Sequence, residues 1–166
     1  MYIPFSNIDL QARVWVYQAN RQLTDQEAGV LTETLKASLD SWEAHGKKLT
    51  ASGKLFENRF LVIAVDERYE LPSGCSIDKS VHWLQEMGSR MNIDFFDRSL
   101  AYLDGTGQVQ AVPVPKIKQA VIDETIQPNT TIFDNQVATK AQWMKRWKVS
   151  ASQSWLSRYF AEQTSI

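Results

Sequence analysis

The sequence predicts an α+β fold, with helices and largely antiparallel strands mixed along one chain. Three stretches carry this expectation. Residues 12–19 alternate in the manner of a strand, residues 24–42 place leucines at helical spacing behind a capping signal, and Phe60 to Val65 is an unbroken apolar run of strand length.

In residues 12–19, Val14 and Val16 point one way and Trp15 and Tyr17 the other. Both sides are apolar, so the expectation is a strand interior to a sheet. Thr24-Asp25-Gln26-Glu27 is a capping box: the threonine hydroxyl can accept from the Glu27 amide while the glutamate reaches back to the Thr24 amide. Leu31, Leu35, Leu39 and Trp42 follow on one helical stripe, and Gly46 is placed to end it. Residues 48–56 and 59–66 read as strands joined by a tight turn at Glu57-Asn58, the second of them central.

After a loop containing Pro72 and Gly74, Ser76 is a natural N-cap, with Asp78 in the first turn. Ile77, Val81, Leu84, Gly88 and Met91 form the apolar stripe, where Gly88 would let the helix approach the sheet closely. Residues 98–103 and 108–112 read as strands around Asp104-Gly105-Thr106-Gly107. Residues 116–124 suit a short helix behind Pro113 and Pro115. Residues 127–135 are ambiguous, a loop with a short strand. Residues 138–147 and 150–160 read as two helices, with Ser150 and Gln153 as a second capping box. The first six elements run β-α-β-β-α-β, the split arrangement of a ferredoxin-like sheet, followed by an extra strand and C-terminal helices. A single domain is expected over residues 1–166, with a core at about 10–112 and a helical extension at about 113–166.

Composition narrows the function classes. The 166 residues are 43% hydrophobic and 22% charged, the balance of a folded globular chain. A net charge of −1 gives no global field for nucleic acid or a membrane surface. The charge is uneven, however: residues 1–137 carry 13 basic and 18 acidic side chains, whereas the rest sets Lys140, Lys145, Arg146, Lys148 and Arg158 against Glu162. One cysteine and two histidines cannot build a Cys/His zinc site, and nothing implies a metal or a cofactor. The N-terminus lacks the pattern of a signal peptide, and no apolar run approaches a membrane span. A cytoplasmic protein without membrane partners is the expectation.

The candidate sites are few. Gly74, Cys75 and Ser76 sit where a loop enters a helix, so free amides and the helix dipole favour a small anion there and a thiolate at Cys75. His82 follows Asp78 by one helical turn, a spacing that lets a carboxylate orient an imidazole. A Cys75–His82 dyad fails on distance, since two turns separate them by about 10 Å along the axis. His45 is expected as a cation at the end of the first helix. In the tail, Trp143, Trp147 and Trp155 interleave with Lys145, Arg146 and Lys148, a pattern that serves single-stranded nucleic acid or simply packs against the body. The segment from Leu61 to Glu67 looks like a Walker B strand, but neither Gly46-Lys47 nor Gly53-Lys54 completes a phosphate loop.

Four stretches together resemble a known family: Ala12-Arg13-Val14-Trp15-Val16-Tyr17-Gln18, Trp42 to Lys47, Gly74 to His82, and Phe95-Phe96-Asp97-Arg98. They are similar to an uncharacterised family of small bacterial proteins of about 160 residues, some of which carry the label "ABC transporter ATPase". The absent phosphate loop gives that label no support, and the resemblance implies no catalytic residue. The leading expectation is a non-catalytic ligand-binding or protein-interaction domain, whose partner is another protein, a second copy in a homodimer, or a small anionic ligand. The alternatives are an enzyme or thiol sensor centred on Cys75, assisted by His82, His45 or Asp78, and a nucleic-acid adaptor acting through the tail.

Overall fold

Both hydrogen bonds of the Thr24 capping box form. Thr24 Oγ accepts from the Glu27 amide at 3.1 Å, and Glu27 Oε1 accepts from the Thr24 amide at 2.9 Å. Helix α1 (Asp25–Asp40) grows from that cap and buries Leu31, Leu35 and Leu39. Our computed structural model describes residues 1–164, with side chains described through residue 161. Its fold is α+β, and the chain divides into two compact units: Met1–Asp97 with Gln136–Trp143, and Arg98–Asn135 with the chain from Met144 onward. The first division falls after Asp97.

In the first unit, β1 (Arg13–Gln18), β4 (Ala51–Phe56) and β5 (Phe60–Val65) form an antiparallel sheet of order β1-β5-β4. The Glu57-Asn58 turn lies where expected, with φ of 57° and 48° at its two residues. β5 is central and buried throughout. β1 is an edge strand rather than an interior one. It is apolar on both sides because both faces of the sheet are covered. One face packs with Leu31, Leu35, Leu39 and Leu84 of the helices, and Leu61, Ile63, Val65 and Trp15 point into that layer. The other buries Val14, Val62 and Ala64 against Phe5, Ile8 and Val137.

The order β1-β5-β4 reproduces three strands of a split βαβ layout. The fourth, expected from residues 98–103, lies elsewhere: β6 (Leu100–Leu103) belongs to the second unit. Among the described residues, isolated bridges of Arg13 with Thr139 and Gln18 with Phe96 flank β1 on its outer side in place of a full strand. Leu100 and Tyr102 instead join a separate core with Ile117, Val121, Ile132, Leu156 and Phe160. There β6 pairs with β7 (Val109–Val112) and β8 (Thr131–Phe133), and β8 pairs with β9 (Lys148–Ser150).

The remaining elements are the hairpin β2 (Glu43–Ala44) and β3 (Lys47–Lys48), α2 (Gly74–Met91), α3 (Ile117–Ile122), α4 (Lys140–Arg146) and α5 (Ser157–Thr164). The Ser150–Gln153 capping box does not form. Ser150 ends β9 and makes no side-chain cap bond to the 3-10 turn that follows.

The α1 start is tied to the α2 end by one side chain. Arg21 holds Glu27 through two hydrogen bonds, of 3.0 and 2.8 Å, and donates a third to the Met91 carbonyl at 2.8 Å. The Arg21 guanidinium, with the Thr24 amide behind it, lowers the Glu27 carboxyl to a pKa of about 2. This carboxylate therefore stabilises the fold fully above the unfolded value of about 4.3. The contribution is lost as pH falls through about 2. We expect Glu27→Gln to flatten the acid limb of the stability curve, measured as urea midpoints between those two pH values. An acid limb identical to that of the parent protein would show that the pair adds nothing.

Candidate functional site

Helix α2 begins three residues earlier than its sequence suggests. Ser73, not Ser76, is the N-cap: its hydroxyl accepts from the Ser76 amide at 3.1 Å, and Ser76 Oγ accepts from the Ser73 amide at 2.7 Å. Serine at both positions explains the misplacement, because either can cap and only the chain path decides. The Ile77 amide also has an intrachain acceptor, the Ser73 carbonyl, at 3.0 Å. Ser76 is thus a buried partner of the cap rather than an open donor, which narrows the anion-binding corner to the exposed Gly74 and Cys75.

The other candidate residues are not gathered around the thiol. His45 is not at a helix end, since α1 stops at Asp40. It shares the tip of the β2–β3 hairpin with Gly46, at φ of 54° and 77°. Positive φ at both central residues is the geometry of a two-residue hairpin turn, and Gly46 supplies it without strain. Asp78 and His82 are exposed on α2, and no hydrogen bond or ion pair joins them. Among the described residues, no group of three or more His, Cys, Asp or Glu side chains could hold a metal ion.

The concave surface of the first unit lies further along α2. A depression of about 620 Å³ is lined by Lys79, His82, Trp83, Gln85, Glu86 and Arg90, among others. A second, of about 380 Å³, adjoins it across Gln85 and Ser89 and reaches Asn20, Asp94 and Phe96. Trp83 gives the first an aromatic wall, backed by an edge-on contact with the buried Trp42 ring at 5.3 Å. Phe96 gives the second its aromatic wall, itself edge-on to Tyr17 at 5.6 Å. Sequence reading missed this surface. It singled out Asp78 and His82 on this helix but gave no site role to Trp83 or Phe96.

Compared with protein-family models, curated proteins and solved structures, the chain matches none. The arrangement of its side chains is therefore what speaks for its chemistry. His82, Glu86 and Ser89 share the outer face of α2 but are not hydrogen-bonded to one another, and all three are exposed. A catalytic relay needs such bonds and shelter from water. Neither is found among these three residues.

Two further motifs resolve into structural roles. Asp66, at the end of the Walker B-like strand, is buried and accepts from Arg68 Nε at 3.0 Å and Nη2 at 2.8 Å. Those bonds hold its carboxyl below the usual range. Of the two readings of the tail, packing describes Trp143 and Trp147, while Trp155 is exposed. Trp147 is 4% exposed, sits 4.9 Å from the Phe133 ring and donates to Asn135 Oδ1 at 3.0 Å. Trp143 is half-buried between Phe5 and Phe56 in the first unit. Lys145, Arg146 and Lys148 remain exposed. Lys140, counted with them by charge, is buried and donates to the Phe5 and Ile8 carbonyls at 2.7 and 2.8 Å. Burial lowers its pKa, while Asp9 partly restores it.

Proposed function

We propose that this is a non-catalytic protein-interaction domain whose working surface is the outer side of α2. The observation that carries the reading is the pair of adjoining depressions there, walled by Trp83 and Phe96 and rimmed by charged and amide side chains. Aromatic anchors beside polar rims are the usual anatomy of a binding patch. The ferredoxin-like order of strands β1, β5 and β4, the likeness to a family of small bacterial proteins and residence in the cytoplasm belong to the same reading. No helix of the described residues is long and apolar enough to cross a membrane.

A second reading, a thiol sensor or enzyme centred on Cys75, is favoured by one observation: the thiol is exposed in the first turn of α2. Turnover assays with ester, thioester and phosphoester substrates separate the two. The interaction reading expects no turnover above buffer, and identical traces for Cys75→Ala. Enzyme-like rates that vanish in Cys75→Ala would overturn it in favour of the thiol.

A further inference from the structure

Four exposed residues of α2 recur at intervals of four: Asp78, His82, Glu86 and Arg90. That spacing is one ridge of the helix surface. It lies opposite the stripe of Ser80, Leu84, Met87 and Gly88 that is buried in the first unit. None of the four enters an ion pair among the described residues.

The order of charge along this ridge is self-complementary. A second copy of the same helix, laid antiparallel across a two-fold axis at the level of Leu84, sets Asp78 against Arg90 and His82 against Glu86. Each pair then occurs twice. Lys79 falls opposite Ser89, so no like charges meet. A parallel mate in register would set each residue against itself, carboxylate on carboxylate at Asp78 and Glu86. Asp78 and Arg90 lie about 18 Å apart along the axis, so the matched contacts span most of the helix. The depression along this side, lined by Lys79, Trp83 and Arg90, gives the ridge of a mate somewhere to seat.

We propose that α2 is a homodimer interface, in which two copies of this chain associate through antiparallel α2 helices with Asp78–Arg90 and His82–Glu86 pairs across the two-fold axis. The inference rests on the binding reading above and names its partner as a second copy. An isologous contact of this kind uses each residue twice, so a single charge reversal is felt at two places. Solvent-exposed pairs are individually weak, and the dimer is correspondingly weak and salt-sensitive.

The test is sedimentation of the full chain at low salt, up to about 1 mM protein. Arg90→Asp and Asp78→Arg should each weaken self-association by about tenfold, because each replaces two attractions with two repulsions. The double variant Asp78→Arg/Arg90→Asp should return to within about threefold of the parent, since the swap restores both pairs. Raising sodium chloride to about 0.5 M should dissociate the parent. A chain that stays monomeric throughout overturns the proposal, as does a dimer indifferent to both single reversals or a double variant as weak as either single one. All the altered side chains are exposed, and circular dichroism of each variant confirms folding. A monomer that lacks turnover leaves the binding reading standing with another partner, whereas Cys75-dependent turnover removes that reading whatever the oligomeric state.

Discussion

Trp42→Ala is expected to destabilise the protein by about 3–5 kcal/mol, as full truncation of a buried tryptophan does. Trp42 is 1% exposed, and its ring meets Trp83 edge-on at 5.3 Å. Its Nε1–H donates to the Ser76 carbonyl at 2.8 Å, across a gap of 34 residues in sequence. The substitution therefore leaves a cavity and deletes the bond that ties the segment after α1 to the first turn of α2. Against a total stability of about 5–15 kcal/mol, the loss is a large fraction. Urea denaturation followed by far-ultraviolet circular dichroism should show a much lower midpoint. Trp42→Phe should fall between the two, keeping much of the ring packing but not the donor. A loss below about 1 kcal/mol for the alanine variant would contradict this packing.

Gly88→Ala gives a sharper contrast, because two physical effects oppose each other. On helix propensity alone, alanine should gain up to about 1 kcal/mol at this position in the last turn of α2. The structure reverses the sign. A Cβ at Gly88 would stand 2.4 Å from the Ile93 carbonyl oxygen and 3.6 Å from Phe95 Cδ2. That carbonyl cannot swing aside freely. Asn92, at φ 55°, turns the chain back over the helix end, and the Ile93 amide donates to the Gly88 carbonyl at 2.9 Å. We expect a net loss of about 1–3 kcal/mol, in the range of overpacked sites. Ser89→Ala, one residue on and exposed, should change little and serves as the control. A stabilised Gly88→Ala would mean that the close approach does not exist.

Gly88 also shows what the sequence can and cannot reveal. A glycine on an apolar helical stripe signals close approach, but not to what. The sheet was the natural expectation, and the contact is instead with the helix's own returning loop. Two of the local readings hold, although the equally local Ser150–Gln153 box does not form. The Thr24 box needs four consecutive residues and forms completely. The Glu57-Asn58 turn needs two and also forms. Where the physics is distant, the sequence is silent. Lys148 to Ser150 is a strand only because Thr131 to Phe133 lies beside it, and three residues carry no period that would announce it. β6 has the alternation of a strand, but the choice between two sheets depends on which core Leu100 and Tyr102 can fill. The α2 surface was hidden for a related reason. Trp83 is a helix residue like any other until Trp42 is known to stand behind it.

The return of residues 136–143 to the first unit sets an order of events during synthesis. Chains emerge from the ribosome N-terminus first, and compact units generally fold as they appear. Here the earliest unit to emerge must wait. Val137 and Trp143 complete the layer over Val14, Val62 and Ala64, and the Lys140 ammonium fastens the Phe5–Ile8 turn above it. A nascent chain halted before residue 136 therefore has Phe5 and Ile8 on that side of the sheet but lacks the share that Val137 and Trp143 contribute.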